Sequence, residues 1–202
     1  MSHRPRLDCP CCVDAARSPA FRRREVIRAS FAGLACAAMA SPALAQMAPP
    51  AGPPRVLRIQ RAYAETDDQF EGVYWENGRY VRTALQKLDY VLRDLPTEEV
   101  TPMDPRLFDV LHAVAQQMDS SEPFQVISGY RAPERNANLA RQSRRVSTAS
   151  LHMSGMAADV RLPDRDSYAM ARLAAEMQMG GVGLYRRDGF VHLDCGQPRR
   201  WG

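Results

Sequence analysis

Two stretches constrain this chain more than any others. One is Ser150-Leu151-His152-Met153-Ser154-Gly155-Met156-Ala157-Ala158-Asp159; the second is Gly189-Phe190-Val191-His192-Leu193-Asp194. They offer two imidazoles and two carboxylates in a chain of 202 residues with four histidines. Neutral imidazole plus carboxylate oxygen is a donor set that suits zinc, and a catalytic zinc ion takes three protein ligands and leaves one position open. His152, Asp159 and His192 are the candidate ligands. Gly155 permits a tight turn between the first two. The small Ala157 and Ala158 let backbones approach. A fold that uses these residues must bring the two stretches together.

The flanking pattern is that of an α+β domain, a mostly antiparallel sheet with helices packed against it and the zinc site at the sheet. Val56–Ile59, Glu71–Trp75, Phe124–Ser128 and Ala157–Leu162 read as strands, with Asn77-Gly78 as a turn. Gly181–Tyr185 and Phe190–Asp194 flank an Asp-Gly turn and read as a hairpin. On its second strand Phe190, His192 and Asp194 share a face. Apolar residues at helical spacing predict helices over Tyr80–Leu95, from Asp104-Pro105 onward and from Asp166 to a stop at Gly180, and Pro133 can open another over roughly Glu134–Gln142. His112 lies beside an apolar helical stripe and is read as a structural histidine.

Residues 1–45 do not belong to that domain. Arg22-Arg23-Arg24, a weakly apolar run from Ala29 to Ala40 and Ala43-Leu44-Ala45 form a basic region, an apolar region and a small-residue cleavage site. The run is too short to span about 30 Å of hydrocarbon, so no membrane anchor is expected after cleavage. Arg23-Arg24-Glu25-Val26-Ile27 resembles a twin-arginine export signal, which implies the twin-arginine export machinery as a partner and a periplasmic or otherwise exported location. Residues 46–54 hold four prolines and read as an extended tether, leaving 55–202 as the domain. Seven of the 27 basic and three of the 23 acidic residues fall within 1–45, so the remainder carries twenty of each. The overall charge of +4 therefore belongs to the export segment and gives no sign of nucleic-acid binding. Four of five cysteines also fall there, and Cys195 alone remains.

Four motifs in order carry a resemblance. Ser128-Gly129-Tyr130-Arg131, Ser150-x-His152-x-x-Gly155-x-Ala157-x-Asp159, Gly180-Gly181-Val182-Gly183 and Phe190-Val191-His192-Leu193-Asp194 resemble the D-alanyl-D-alanine-type zinc peptidases, in their murein endopeptidase branch. The resemblance implies one zinc ion on His152, Asp159 and His192, and peptidoglycan stem peptides as substrate. It implies Arg131 as the cation that meets the developing oxyanion, with Ser128 and Tyr130 shaping the pocket. Arg144, Arg145 and Arg161 are candidates to clamp a substrate carboxylate. Many relatives place the base two or three residues before the last histidine, where this chain has Phe190 and Gly189. Asp194 is the remaining candidate, as base or as the partner that orients His192; the permuted arrangement, with Asp194 on the metal and His192 as base, stays open. Alternatives to an endopeptidase are a D,D- or L,D-carboxypeptidase on stem peptides and an inactive wall-binding module.

Overall fold

The computed structural model describes residues 52–62, 68–143 and 146–202. The expected export segment, Gln46–Ala51 of the tether, and Arg144 and Arg145 lie outside the described residues. Among those described, eight strands form one sheet in the order β3-β2-β1-β4-β5-β7-β6-β8. They are β1 Arg55–Arg61, β2 Gln69–Glu76, β3 Arg79–Tyr80, β4 Phe124–Ser128, β5 Ala157–Arg161, β6 Gly181–Tyr185, β7 Phe190–Asp194 and β8 Arg199–Trp201. The helices are α1 Arg82–Val91, α2 Pro105–Gln117, α3 Pro133–Gln142 and α4 Ser167–Met177, with one 3-10 turn at Leu151–Ser154. Neighbouring strands run antiparallel except β1 beside β4 and β6 beside β8, which are parallel.

Alternation along the strands sorts the two faces. Val191 and Leu193 of β7 are fully buried, and α2 and α4 both pack on that strand. They join Leu107, Phe108, Leu111 and Val114 of α2, Met170 of α4, and Ile59, Val126 and Val160 of the sheet in a single core cluster. Full burial of such a side chain is worth about 1.5–3 kcal/mol. The intervening residues His192 and Asp194 point to the opposite face, where the 3-10 turn lies against β5.

Two helix starts follow the sequence, whereas the first helix begins at Arg82 and not Tyr80, because Tyr80 pairs with Trp75 as the end of β3. Asp104 accepts from the Arg106 N–H at 3.0 Å ahead of Pro105, and Asp166 accepts from the Ala169 N–H at 2.8 Å. Two helix ends differ. The first helix stops at Val91 rather than Leu95, because the Leu92 carbonyl accepts from the Tyr130 N–H and the Arg93 and Asp94 side chains turn into buried ion pairs. The last helix ends on Gln178, in the left-handed region at φ 55°, before Gly180 is reached. Gly180 serves another need: a Cβ there would run into the Asp194 carbonyl.

Candidate metal centre and active-site cleft

Strand register builds the site. Ser128 of β4 pairs with Asp159 of β5, Asp159 with His192 of β7, His192 with Gly183 of β6, and Gly183 with Trp201 of β8. Paired residues share a face, so one cross-strand row carries a hydroxyl, a carboxylate, an imidazole, a gap and an indole. The gap is functional: a Cβ on Gly183 would collide with the indole ring, which instead sits 5.1 Å from the His192 ring centroid. His152 reaches the row from the 3-10 turn, capped by Ser150 and closed by Gly155 at φ 66°. Left-handed backbone favours glycine, and a Cβ at Gly155 would lie 2.8 Å from the Pro102 carbonyl oxygen.

Three ligand-type atoms converge in this row. His152 Nε2 lies 3.1 Å from His192 Nδ1 and 3.3 Å from Asp159 Oδ1, and His192 Nδ1 lies 3.0 Å from that same oxygen. A carbonyl can only accept, so His152 Nδ1 donates to the Gly129 carbonyl at 2.7 Å, which leaves its Nε2 lone pair facing the cluster. His192 Nε2 donates to Asp194 Oδ2 at 3.0 Å, which turns its Nδ1 lone pair inward as well. Two lone pairs and a carboxylate oxygen at this separation repel unless a cation or proton lies between them. Zinc fits: tetrahedral bonds of about 2.1 Å space ligand atoms roughly 3.4 Å apart. Burial disfavours the charged form of Asp159, yet His152 and His192 hold its carboxyl well below the usual range. Burial likewise works against a charged His192, and the two aspartates outweigh it, raising its pKa.

Asp194 stands behind this cluster. Its side chain is 0% exposed. Oδ1 accepts from the N–H groups of Gly181 and Gly196, each at 2.9 Å, and from Arg199 Nη1 at 3.1 Å. Oδ2 accepts from Arg199 Nη2 at 2.7 Å and from His192. Burial opposes its charge, but these donors hold the carboxyl well below the usual range. With its acceptor sites filled, Asp194 fixes the tautomer and angle of His192. It lies outside the group of three residues whose ligand atoms come together, which is His152, Asp159 and His192.

Arg131 closes the other side. Its N–H donates to the His152 carbonyl at 3.2 Å, which docks the loop after β4 on the 3-10 turn. Its guanidinium reaches Asn136 Oδ1 at 3.1 Å, Ser128 Oγ at 3.4 Å and Asp159 Oδ2 at 3.6 Å. Nε is buried with no hydrogen-bond partner. Burial pulls its pKa below the ordinary value, although a guanidinium stays charged at neutral pH. Arg131, His152, Asp159 and His192 line a cleft of about 410 Å³, together with Tyr185, Phe190, Arg199 and Trp201.

The other expected site residues are placed differently. Ser128 stands beside Arg131. Tyr130 packs in the core instead of lining the cleft, because its N–H is drawn to Leu92. Arg161 gives its Nε to Gln125 across the β4–β5 pair at 2.6 Å and does not line the cleft either. His112 is half-buried, 2.9 Å from the Val56 carbonyl and edge-on to Tyr74, as a structural histidine should be. Sequence reasoning missed Arg199, Trp201, Asn136 and Asp94. Asn136 is buried and ties Arg131 to the Ser147 carbonyl. Asp94 holds the Ala132 N–H at 2.9 Å and Arg135 at 2.6 Å, steadying the Arg131 loop from behind. The one available signal was an aspartate inside an apolar helical stripe.

An α+β sheet presenting to one point two histidines and an aspartate that could hold a metal ion, beside a buried arginine in an open cleft, has the make-up of a hydrolase site. The chain belongs to the peptidase family M15_2, described as Peptidoglycan L,D-endopeptidase MepK, which matches residues 50–201. It is 31% identical over 179 residues to the Peptidoglycan L,D-endopeptidase MepK of Escherichia coli (strain K12), covering 89% of this chain and 96% of that protein. The protein of the same name from Shigella flexneri matches to the same extent. A Probable peptidoglycan L,D-endopeptidase MepK from Haemophilus influenzae is 33% identical over 149 residues, 73% of this chain and 79% of that protein. The protein is thus a peptidase.

Proposed function

We propose that this peptidase is a zinc-dependent endopeptidase that hydrolyses an amide in the cross-links between peptidoglycan stem peptides, in cell-wall remodelling. The observation that carries this reading is the meeting of His152 Nε2, Asp159 Oδ1 and His192 Nδ1 under Arg131, in a cleft open to a peptide. Those three residues would hold the ion. When bound, zinc supplies Lewis acidity and lowers the pKa of water. Arg131, short of partners on Nε, offers its charge where negative charge grows on the carbonyl oxygen. Ser128 and Asn136 keep its guanidinium in place. Asp194 acts through His192, as its orienting partner, because its own oxygens are already occupied.

The relatives' name specifies a bond between an L- and a D-centre, and we extend that to this chain, with meso-diaminopimelate on at least one side. Such a link sets a carboxylate beside the scissile amide. Arg144 or Arg145, which follow α3, are the proposed clamp for it. We further propose that residues 1–45 are a twin-arginine signal cut after Ala45, and that 46–54 tether the exported domain. No helix among the described residues is long and apolar enough to cross a membrane. Changing Arg23 and Arg24 to lysine should retain the protein in the cytoplasm; export of that variant at the normal level would sink the signal assignment.

Mass spectrometry of cross-linked dimeric muropeptides tests the reaction. Zinc-loaded protein should yield monomers, and chelation should stop it. Release of terminal D-alanine alone would favour a carboxypeptidase, and no change under any metal would favour a binding module.

A further inference from the structure

A second groove lies around the sheet edge from the cleft. On β8, Arg199 and Trp201 face the catalytic side, so Arg200 between them faces the helix side. There Arg200, Arg172 and Tyr168 of α4, Arg186 of the β6–β7 turn and the edge of Trp201 surround an apolar floor that includes Leu184, enclosing about 380 Å³. Tyr168 is 54% and Trp201 40% exposed, among the few large apolar side chains left to solvent. The two line one groove, and exposed aromatic side chains grouped around a groove mark a binding surface. The Arg186 guanidinium stacks 5.3 Å over the Tyr168 ring, which orders it and leaves its N–H edge outward.

Charge decides what fits. Three arginines face the groove, and the pairing of one of them, Arg172 with Glu176 at 3.5 Å, is solvent-exposed on both sides and weak. Asp188 lines the adjoining depression beside Arg186 and Arg187. Guanidinium groups beside aromatic faces suit carboxylates carried on a chain with flat ring faces. The volume holds a few residues of such a chain. Trp201 is shared with the catalytic cleft, so one ligand strand can pass round the β8 edge and touch both.

We propose that this groove binds a carboxylate-bearing segment of the peptidoglycan polymer, beyond the cross-link held in the cleft. The proposal rests on the endopeptidase reading for its ligand. A second contact on an insoluble network raises the effective concentration of cross-links at the cleft without altering the chemistry there.

The test separates polymer binding from turnover. Zinc-loaded protein is sedimented briefly on ice with purified intact sacculi, and in parallel assayed on a soluble cross-linked dimer. The Arg186→Glu/Arg200→Glu variant should sediment about tenfold less, since attraction becomes repulsion at two positions. Tyr168→Ala should lose binding severalfold, and both should keep dimer turnover within about twofold of the parent. Sacculi whose carboxylates are amidated with carbodiimide and glycinamide should bind the parent no better than the double variant. Unchanged sedimentation in both variants overturns the proposal. So does indifference to amidation, or a fall in dimer turnover that matches the fall in binding. Failure of the endopeptidase reading looks different: the parent would leave the dimer intact, whatever the sacculi show.

Discussion

At the scale of single residues, each group near the cluster does one task, and substitution should separate them. His152→Ala, Asp159→Ala and His192→Ala should each lose zinc and activity together, since three protein ligands leave no redundancy. Asp194→Asn keeps the shape but removes the charge that His192 and Arg199 both face. Loss of an orienting partner costs about 10–100-fold in metal affinity or activity. A chelator-competition titration should therefore show a weaker site in Asp194→Asn, and a smaller change in the same direction in Arg199→Ala. If Asp194→Asn lost turnover with its zinc affinity unchanged, Asp194 would be a base instead. Arg131→Ala should cut kcat by about 10²–10³ and shift KM less, as removal of one oxyanion donor does. The clustered histidines were legible in the sequence from their spacing, and Arg131 from the resemblance of Ser128-Gly129-Tyr130-Arg131 to the zinc peptidases. Arg199 was not, because nothing in the spacing of Asp194 and Arg199 shows that a strand runs back past β6.

Among elements, the row Ser128–Asp159–His192–Gly183–Trp201 is the arrangement that matters, and it depends on register. Strands β5, β6 and β7 were readable from alternation and from the Asp-Gly turn. Strand β8 was not: Arg199-Arg200-Trp201 is three residues with no alternating pattern, and a parallel neighbour gives no hairpin signal. Gly183→Ala tests the row directly. The added Cβ would fall inside the indole, so β8 must move and Trp201 must leave its place beside His192. Activity should fall while the core, built on the other face of the sheet, keeps far-UV circular dichroism unchanged. Asp94 links elements differently, from the end of α1 to the start of α3. Asp94→Ala would strand the Ala132 N–H and the Arg135 guanidinium. Breaking a fully buried ion pair costs about 3–5 kcal/mol. Arg135 is 32% exposed and recovers part of that in water, so a loss of about 2 kcal/mol in urea unfolding is expected.

For the whole molecule, local patterns announced the class of fold but not the order of its sheet. The parallel β1–β4 pair joins segments separated by two helices, and only packing of the shared core selects it. That packing places two carboxyls of lowered pKa and one imidazole of raised pKa side by side, so stability becomes linked to pH and, on the proposed zinc reading, to the ion. Asp159 and Asp194 have folded pKa values below the unfolded value of about 3.9, so their contribution is present above that pH and is lost as pH falls through the lower folded values. His192 is shifted the other way, above 6.5, so its contribution without metal is present below that pH and is lost as pH rises through the folded value. Metal-free protein should gain stability from these groups chiefly between about pH 4 and pH 6.5. Zinc needs both imidazoles neutral, so its own stabilisation grows over the range where that of protonated His192 fades. Thermal unfolding at fixed zinc, compared with chelated protein, should show a Tm difference that is small near pH 5 and widens toward pH 8. A difference independent of pH would mean that the histidines of this cluster do not hold the ion.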